Sequence, residues 1–198
     1  MAEHARTAVA ERGRFTFAVS GGRTPWAMFA HLAEEDMPWD RTAIYQVDER
    51  VAAADDPDRN LAQLLASLPV GAQIHRMPVD EDDLEAAAAA YERLLPEMFD
   101  LIHLGLGPDG HTASLVPGDP VLDVADRGVA VTGEYQGRRR MTLTYPTLNE
   151  AGEVLWLVTG EDKVDALQRL RAGDTSIPAG RVAASSQLIL ADAAATTS

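Results

Sequence analysis

The chain has 198 residues, 46% hydrophobic and 24% charged, which suits one globular domain with a sizeable core. A formal net charge of −14 argues against an electrostatic nucleic-acid footprint, and the lack of cysteine excludes disulfides, thiolate metal sites and cysteine catalysis. The opening residues are too charged for a secretory signal and no apolar run approaches membrane-spanning length, so a soluble cytoplasmic protein is expected.

Residues 2–12 read as part of a helix, and residues 14–19, RFTFAV, as a strand. Ser20-Gly-Gly-Arg-Thr-Pro25 follows at once, then a helix expected over 25–35 with Thr24 as N-cap and Pro25 at its first position. Strand, glycine pair and capped helix form either an anion site, with backbone N–H groups converging at a positive helix end, or an ordinary tight turn. A second strand is expected over 43–47. It runs into Asp48-Glu49-Arg50, a charged triplet at a carboxyl end that more commonly means a solvated turn. Asn60 opens a helix to about residue 68, residues 72–76 make a short strand, and an acidic start at Asp80 leads an Ala-rich helix to about 95.

Residues 101–117, LIHLGLGPDGHTASLVP, organise the rest. An apolar strand breaks at Gly107-Pro108 and sets Asp109, Gly110 and His111 on the turn beyond its carboxyl end, and Thr112 offers a possible helix start. Strands are further expected over 129–132 and 140–144, over 153–158 and over 186–190. A helix over 162–171 carries Lys163 in its first turn. No repeat or linker interrupts this alternation, so the fold class is α/β: a single domain with a mostly parallel sheet and helices on both faces.

The chemistry concentrates at carboxyl-end turns. Asp109 and His111 could form a base and the carboxylate that orients it, or a stabilised turn with a packed histidine. His103, inside the strand, reads as core. Of 17 Lys and Arg residues only Lys163 is lysine, at a helix end that disfavours a cation unless an anion shares the space. Gly105-Leu-Gly-Pro-Asp-Gly110 has dinucleotide-fingerprint spacing, but a proline and a His-bearing turn stand where a phosphate-binding helix should begin. Ala18-Val-Ser20-Gly-Gly22 faintly resembles a nucleophile elbow, yet lacks the glycine expected in place of Ala18. No His, Asp and Glu cluster has zinc-ligand spacing, so no metal is expected.

Ser20-Gly-Gly-Arg-Thr-Pro25, Asp48-Glu-Arg50, Gly105-Leu-Gly-Pro-Asp-Gly-His-Thr-Ala-Ser114, Arg140-Met-Thr-Leu-Thr144 and Gly160-Glu-Asp-Lys163, in this order, resemble the 6-phosphogluconolactonase family. The resemblance spans residue 14 to the end and implies a Rossmann-like parallel sheet. It also implies hydrolysis of 6-phosphoglucono-1,5-lactone in the oxidative pentose phosphate pathway, without metal or organic cofactor. By the same resemblance His111 is the general base and Asp109 its orienting partner. Ser20, Gly21, Gly22 and Thr24 hold the phosphate, with Lys163 and Arg140 neutralising it. Asp48, Arg50 and Asn60 also face substrate, and Arg23 stands where the family usually has serine. The partner implied is a small sugar-phosphate lactone, with no nucleic acid or membrane, bound by a monomer or small homo-oligomer. The resemblance further implies a shortened N-terminus, lacking roughly a strand and part of a helix that relatives carry before the glycine loop.

Two other readings compete. A glucosamine-6-phosphate deaminase needs a further carboxylate just after the histidine, and His111-Thr-Ala-Ser-Leu-Val-Pro117 has none. A non-catalytic sugar-phosphate sensor would have no need of His111.

Overall fold

A computed structural model describes residues 1–68 and 72–197 of the chain, apart from the side chain of Arg23. The apolar runs bounded by glycine and charge form the core strands: β1 (Phe15–Val19), β2 (Thr42–Gln46), β4 (Gln73–His75), β5 (Leu101–Leu104), β8 (Val154–Val158) and β9 (Gln187–Ala191). They build a six-stranded sheet in the order β4-β2-β1-β5-β8-β9, with neighbours parallel throughout.

Alternation along each strand sends side chains to opposite faces, and the inner strands are buried on both, as parallel sheets require, while Leu188 and Leu190 of the edge strand β9 are exposed. Phe15, Phe17, Val19, Leu101 and Leu155 pack on one face with α1 (Ala2–Arg12), α2 (Arg23–Leu32) and α3 (Asn60–Ser67). Ala18, Ile102, Leu104, Val154 and Trp156 pack on the other with α4 (Leu84–Glu92) and α6 (Val164–Arg171). A fully buried side chain such as Phe17 contributes about 1.5–3 kcal/mol relative to exposure. Two short helices, α5 (Tyr145–Asn149) and α7 (Ala193–Thr196), were not foreseen. Asp192 caps α7, accepting the Ala195 N–H at 2.8 Å. No helix among the described residues is long and apolar enough to cross a membrane.

The strand order decides where a site can form. From β1 the chain goes outward to β2 and β4 on one side, and later to β5, β8 and β9 on the other. The loops after β1 and β5 therefore diverge, which opens a crevice at their carboxyl ends. Val19 lies opposite His103, and the Ser20 N–H donates to the His103 carbonyl at 3.3 Å, so the two key turns leave the sheet side by side.

Four expectations are corrected. The Asp48-Glu49-Arg50 triplet is not a solvated turn. It is strand β3 (Asp48–Arg50), antiparallel to β7 (Arg140–Leu143), which pairs in turn with β6 (Val129–Val131) in a separate three-stranded sheet. Asp48 is 5% and Glu49 0% exposed, because hydrogen-bond donors meet their carboxylates inside. Thr24 is not the N-cap of α2. The helix begins two residues earlier, after Gly22 at φ 121°, and the Thr24 hydroxyl instead meets the Thr159 hydroxyl at 3.0 Å. No helix starts at Thr112, whose hydroxyl donates to the Gly105 carbonyl at 2.9 Å and closes a tight turn against Leu115. Finally, Lys163 ends a 3-10 turn, Glu161–Lys163, and serves as the N-cap of α6 rather than lying in its first turn.

Candidate active site

At the carboxyl ends of β1 and β5 lies a cleft of about 270 Å³ lined by Ser20, Gly21, Gly22, Thr24, Asp48, Arg50, Asn60, His111, Arg140 and Lys163, among others. Those ten are sequence-predicted positions. Asp109 stands behind His111 rather than in the wall, and the side chain of Arg23 lies outside the described residues.

The turn after β5 builds the first feature. Asp109 Oδ1 lies 2.5 Å from His111 Nδ1 and also accepts the His111 backbone N–H at 3.1 Å, so both contacts fix the imidazole. Neither side chain is sealed off, at 27% exposure for His111 and 40% for Asp109. Burial pushes the Asp109 carboxyl up, but the backbone N–H and ring of His111 outweigh it and hold its pKa below the ordinary value. Asp109 is therefore ionised at neutral pH, as an orienting carboxylate must be. The pair leaves no room behind it: a Cβ on Gly107 would fall 2.1 Å from His111 Nδ1 and 2.7 Å from Asp109 Oδ1. Gly107→Ala is accordingly expected to displace the ring and lower kcat by about 100-fold, the scale of a 1 Å misplacement, with little change in thermal midpoint. Steady-state kinetics beside a melting curve would check it, and an unchanged kcat would disprove the close fit.

The second feature is positive charge gathered from three directions in an acidic chain. Arg50, from β3, donates through Nη1 to the Asp58 carbonyl at 2.7 Å and to Asn60 Oδ1 at 2.8 Å, while Asn60 Nδ2 donates to the Asp48 carbonyl at 3.0 Å. Arg140 opens β7 with Nε buried and unbonded. Its desolvation draws the pKa down, Asp48 opposing and Arg50 reinforcing that pull. An arginine remains charged even so. Lys163 comes from the turn before α6, with Nζ 2.8 Å from Asp162 Oδ2 and 20% of its side chain exposed. On the same cleft the glycine loop after β1 leads into α2, whose N-terminus has no side-chain cap. Cations and uncapped N–H groups are the groups from which anion sites are built.

Other groups sharpen or exclude readings. His103 is fully buried and desolvation pulls its pKa down to about 3, so it is a neutral imidazole bordering the cleft. Ser20 Oγ is buried with no hydrogen-bond partner, so the Ser20–His111 pair that a nucleophile elbow needs is not formed. Asp48 Oδ2 accepts from the Ser114 hydroxyl at 2.6 Å, which ties the segment after the Asp109–His111 turn to β3. Among the described residues no cluster of His, Asp and Glu could hold a metal ion.

Sequence reasoning missed two residues. Glu49 accepts from the backbone N–H groups of Arg50, Asn60 and Leu61 at 2.8, 2.8 and 2.7 Å and from Gln46 Nε2 at 2.8 Å. Its place between two predicted site residues was the only signal. Tyr135 stands edge-on to the His111 ring, with centroids 5.9 Å apart. The Gln136-Gly137 pair between two predicted strands, a hairpin turn, could have drawn attention to its neighbour.

The chain is similar to known proteins in both sequence and fold. A 6-phosphogluconolactonase from Synechocystis sp. is 41% identical over 181 residues, covering 83% of this chain and 75% of that protein. The crystal structure of 6-phosphogluconolactonase from Thermotoga maritima superposes with a TM-score of 0.85 at 29% identity, covering 96% of this chain and 89% of that one. A monomeric glucosamine-6-phosphate deaminase superposes at 0.82 but with 20% identity, and so shares the fold alone. A family model described as glucosamine-6-phosphate isomerases/6-phosphogluconolactonase matches residues 1–190. With that match covering nearly the whole sequence, the chain belongs to the glucosamine-6-phosphate isomerase/6-phosphogluconolactonase family.

Proposed function

We propose that the chain hydrolyses 6-phospho-D-glucono-1,5-lactone to 6-phospho-D-gluconate, with His111 activating water. One observation carries the reading: an oriented Asp109–His111 pair on the same cleft as Arg50, Arg140 and Lys163. A base beside an anion site suits a substrate with a reactive carbonyl at one end and a phosphate at the other. The 41% identity to a 6-phosphogluconolactonase supports the same choice.

With Nδ1 engaged by Asp109, Nε2 is the nitrogen left to take a proton. Water oxygen attacks the lactone carbonyl carbon while Nε2 removes its proton, and the carbonyl oxygen becomes an oxyanion. Arg50, on the cleft wall, is the cation assigned to that charge. Collapse of the tetrahedral intermediate breaks the bond from the carbonyl carbon to the ring oxygen. The imidazolium returns its proton to that oxygen, and the new carboxylic acid ionises. Asp109 keeps the tautomer and the ring angle throughout. The Gly21-Gly22 backbone, Thr24, Lys163 and Arg140 hold the phosphate, each from the wall of the cleft.

The test is acid release from freshly generated lactone, followed above the spontaneous rate, with ammonia release from glucosamine 6-phosphate run in parallel. Lactone hydrolysis alone supports the proposal. Ammonia release, or neither reaction from folded protein, overturns it. Lys163→Ala is expected to raise KM by roughly 10- to 100-fold with kcat within a few-fold, since hydrogen bonds to charged groups contribute about 1.5–3 kcal/mol. An equal fall in kcat would remove Lys163 from phosphate binding.

A further inference from the structure

Arg140 reaches the cleft with little to hold it. Its Nε is buried and unbonded, and its one side-chain hydrogen bond among the described residues, from Nη2 to Gln136 Oε1, is long at 3.4 Å. What lies against its guanidinium is the face of Tyr135, with the guanidinium carbon 5.4 Å from the ring centroid. The same ring meets His111 edge-on at 5.9 Å and 62°. Tyr135 thus stands between the candidate base and a candidate phosphate cation.

A short hairpin brings it there. Gln136 and Gly137 have φ of 52° and 76°, the left-handed pair of a tight reverse turn. Tyr135 and Arg138 exchange backbone hydrogen bonds of 3.0 and 3.3 Å across it. The tip is then anchored. Arg138 Nη1 lies 2.6 Å from Asp56 Oδ2 and Nη2 lies 3.6 Å from Asp58 Oδ2. The Asp58 carbonyl in turn accepts from Arg50. One strap therefore links Tyr135, Arg140 and Arg50.

We propose that Tyr135 is a positioning residue of this cleft: its aromatic face aims the Arg140 guanidinium at the anion end, and the same ring backs the His111 imidazole. The proposal rests on the reading of the cleft as a phosphate site. A guanidinium over an aromatic face is held by the ring quadrupole, and the attraction grows where water is excluded. The work falls to the ring, not the hydroxyl.

Titration calorimetry with inorganic phosphate and with 6-phosphogluconate tests this on the full chain. Tyr135→Phe is expected to retain affinity within about two-fold, whereas Tyr135→Leu weakens both ligands by about 3- to 30-fold, the range of a partly desolvated cation–π contact. In an Arg140→Ala background, Tyr135→Leu is expected to add no further loss, because the ring then has no guanidinium to aim. Losses that add across the two sites, or a leucine variant as good as phenylalanine, would overturn the proposal in favour of plain packing. Wild-type protein that binds neither ligand would overturn it together with the phosphate-site reading. Wild-type protein that binds phosphate without hydrolysing the lactone would sink the proposed reaction alone, and the Tyr135–Arg140 coupling would still decide this point.

Discussion

His111→Ala is expected to lower kcat for lactone hydrolysis by about 100- to 10,000-fold, the usual contribution of a positioned acid–base group, while KM changes only a few-fold. The split follows from where the residue stands. Its ring is held by Asp109 at 2.5 Å, and in the proposed reaction Arg50, Arg140 and Lys163, not the imidazole, meet the substrate's charge. Removing the imidazole leaves those contacts in place and removes the proton acceptor. Asp109→Asn supplies a graded control. The amide oxygen can still accept from Nδ1 and from the backbone N–H, so orientation survives in part, but the negative charge that supports an imidazolium is gone. Its kcat should fall between wild type and His111→Ala. A KM that rises as steeply as kcat falls in His111→Ala would mean that the histidine binds substrate instead. Survival of fast hydrolysis would discard His111 as base while keeping the reaction.

The residues that were legible in the sequence are those whose local pattern carries its own cause. Strands β1, β5 and β8 are apolar runs stopped by Gly or by Ser-Gly-Gly, and their carboxyl-end turns are where chemistry collects in such sheets. Ser20, Gly21, Gly22, Thr24, His111 and Lys163 reach the cleft from the segments after those strands, whereas Asp48, Arg50 and Arg140 come to it from the second sheet and Asn60 from the start of α3. What stayed hidden depends on distant partners. Nothing local marks Asp48-Glu49-Arg50 as a strand, since its pairing partner lies at Arg140–Leu143 and its carboxylates are satisfied from Ser114, Asn60 and Leu61. Thr24 has an N-cap's chemistry, but the chain turns at Gly22 and spends the hydroxyl on Thr159. Tyr135 owes its position to a hairpin in the second, antiparallel sheet, which a reading of one parallel sheet does not contain.

Glu49→Ala is expected to cost about 3–5 kcal/mol of folding stability, the loss typical of breaking a buried ionic network. For a chain of this size that corresponds to a thermal midpoint lower by about 6–20 °C. The carboxylate is fully buried and accepts four hydrogen bonds, two on each oxygen: Arg50 N–H and Asn60 N–H on Oε1, Leu61 N–H and Gln46 Nε2 on Oε2. Arg59, 1% exposed, has Nε 3.8 Å from Glu49 Oε2 and Nη1 3.8 Å from Asp80 Oδ1, so alanine would leave this buried cation with Asp80 alone and would strand the N–H groups at the start of α3. Glu49→Gln separates charge and acceptor count from volume. A glutamine fills the same space but turns one acceptor oxygen into a donor NH₂ facing groups that are themselves donors, so it should lie closer to alanine than to wild type. The function follows the fold here, because Arg50 and Asn60 hang their backbone on the same oxygen. Both variants should lose affinity for inorganic phosphate along with stability. Urea unfolding beside phosphate titration would measure both. A loss below about 1 kcal/mol, the net worth of a single ordinary hydrogen bond, would show that other contacts hold β3 and α3 together and that Glu49 is a bystander to Arg50.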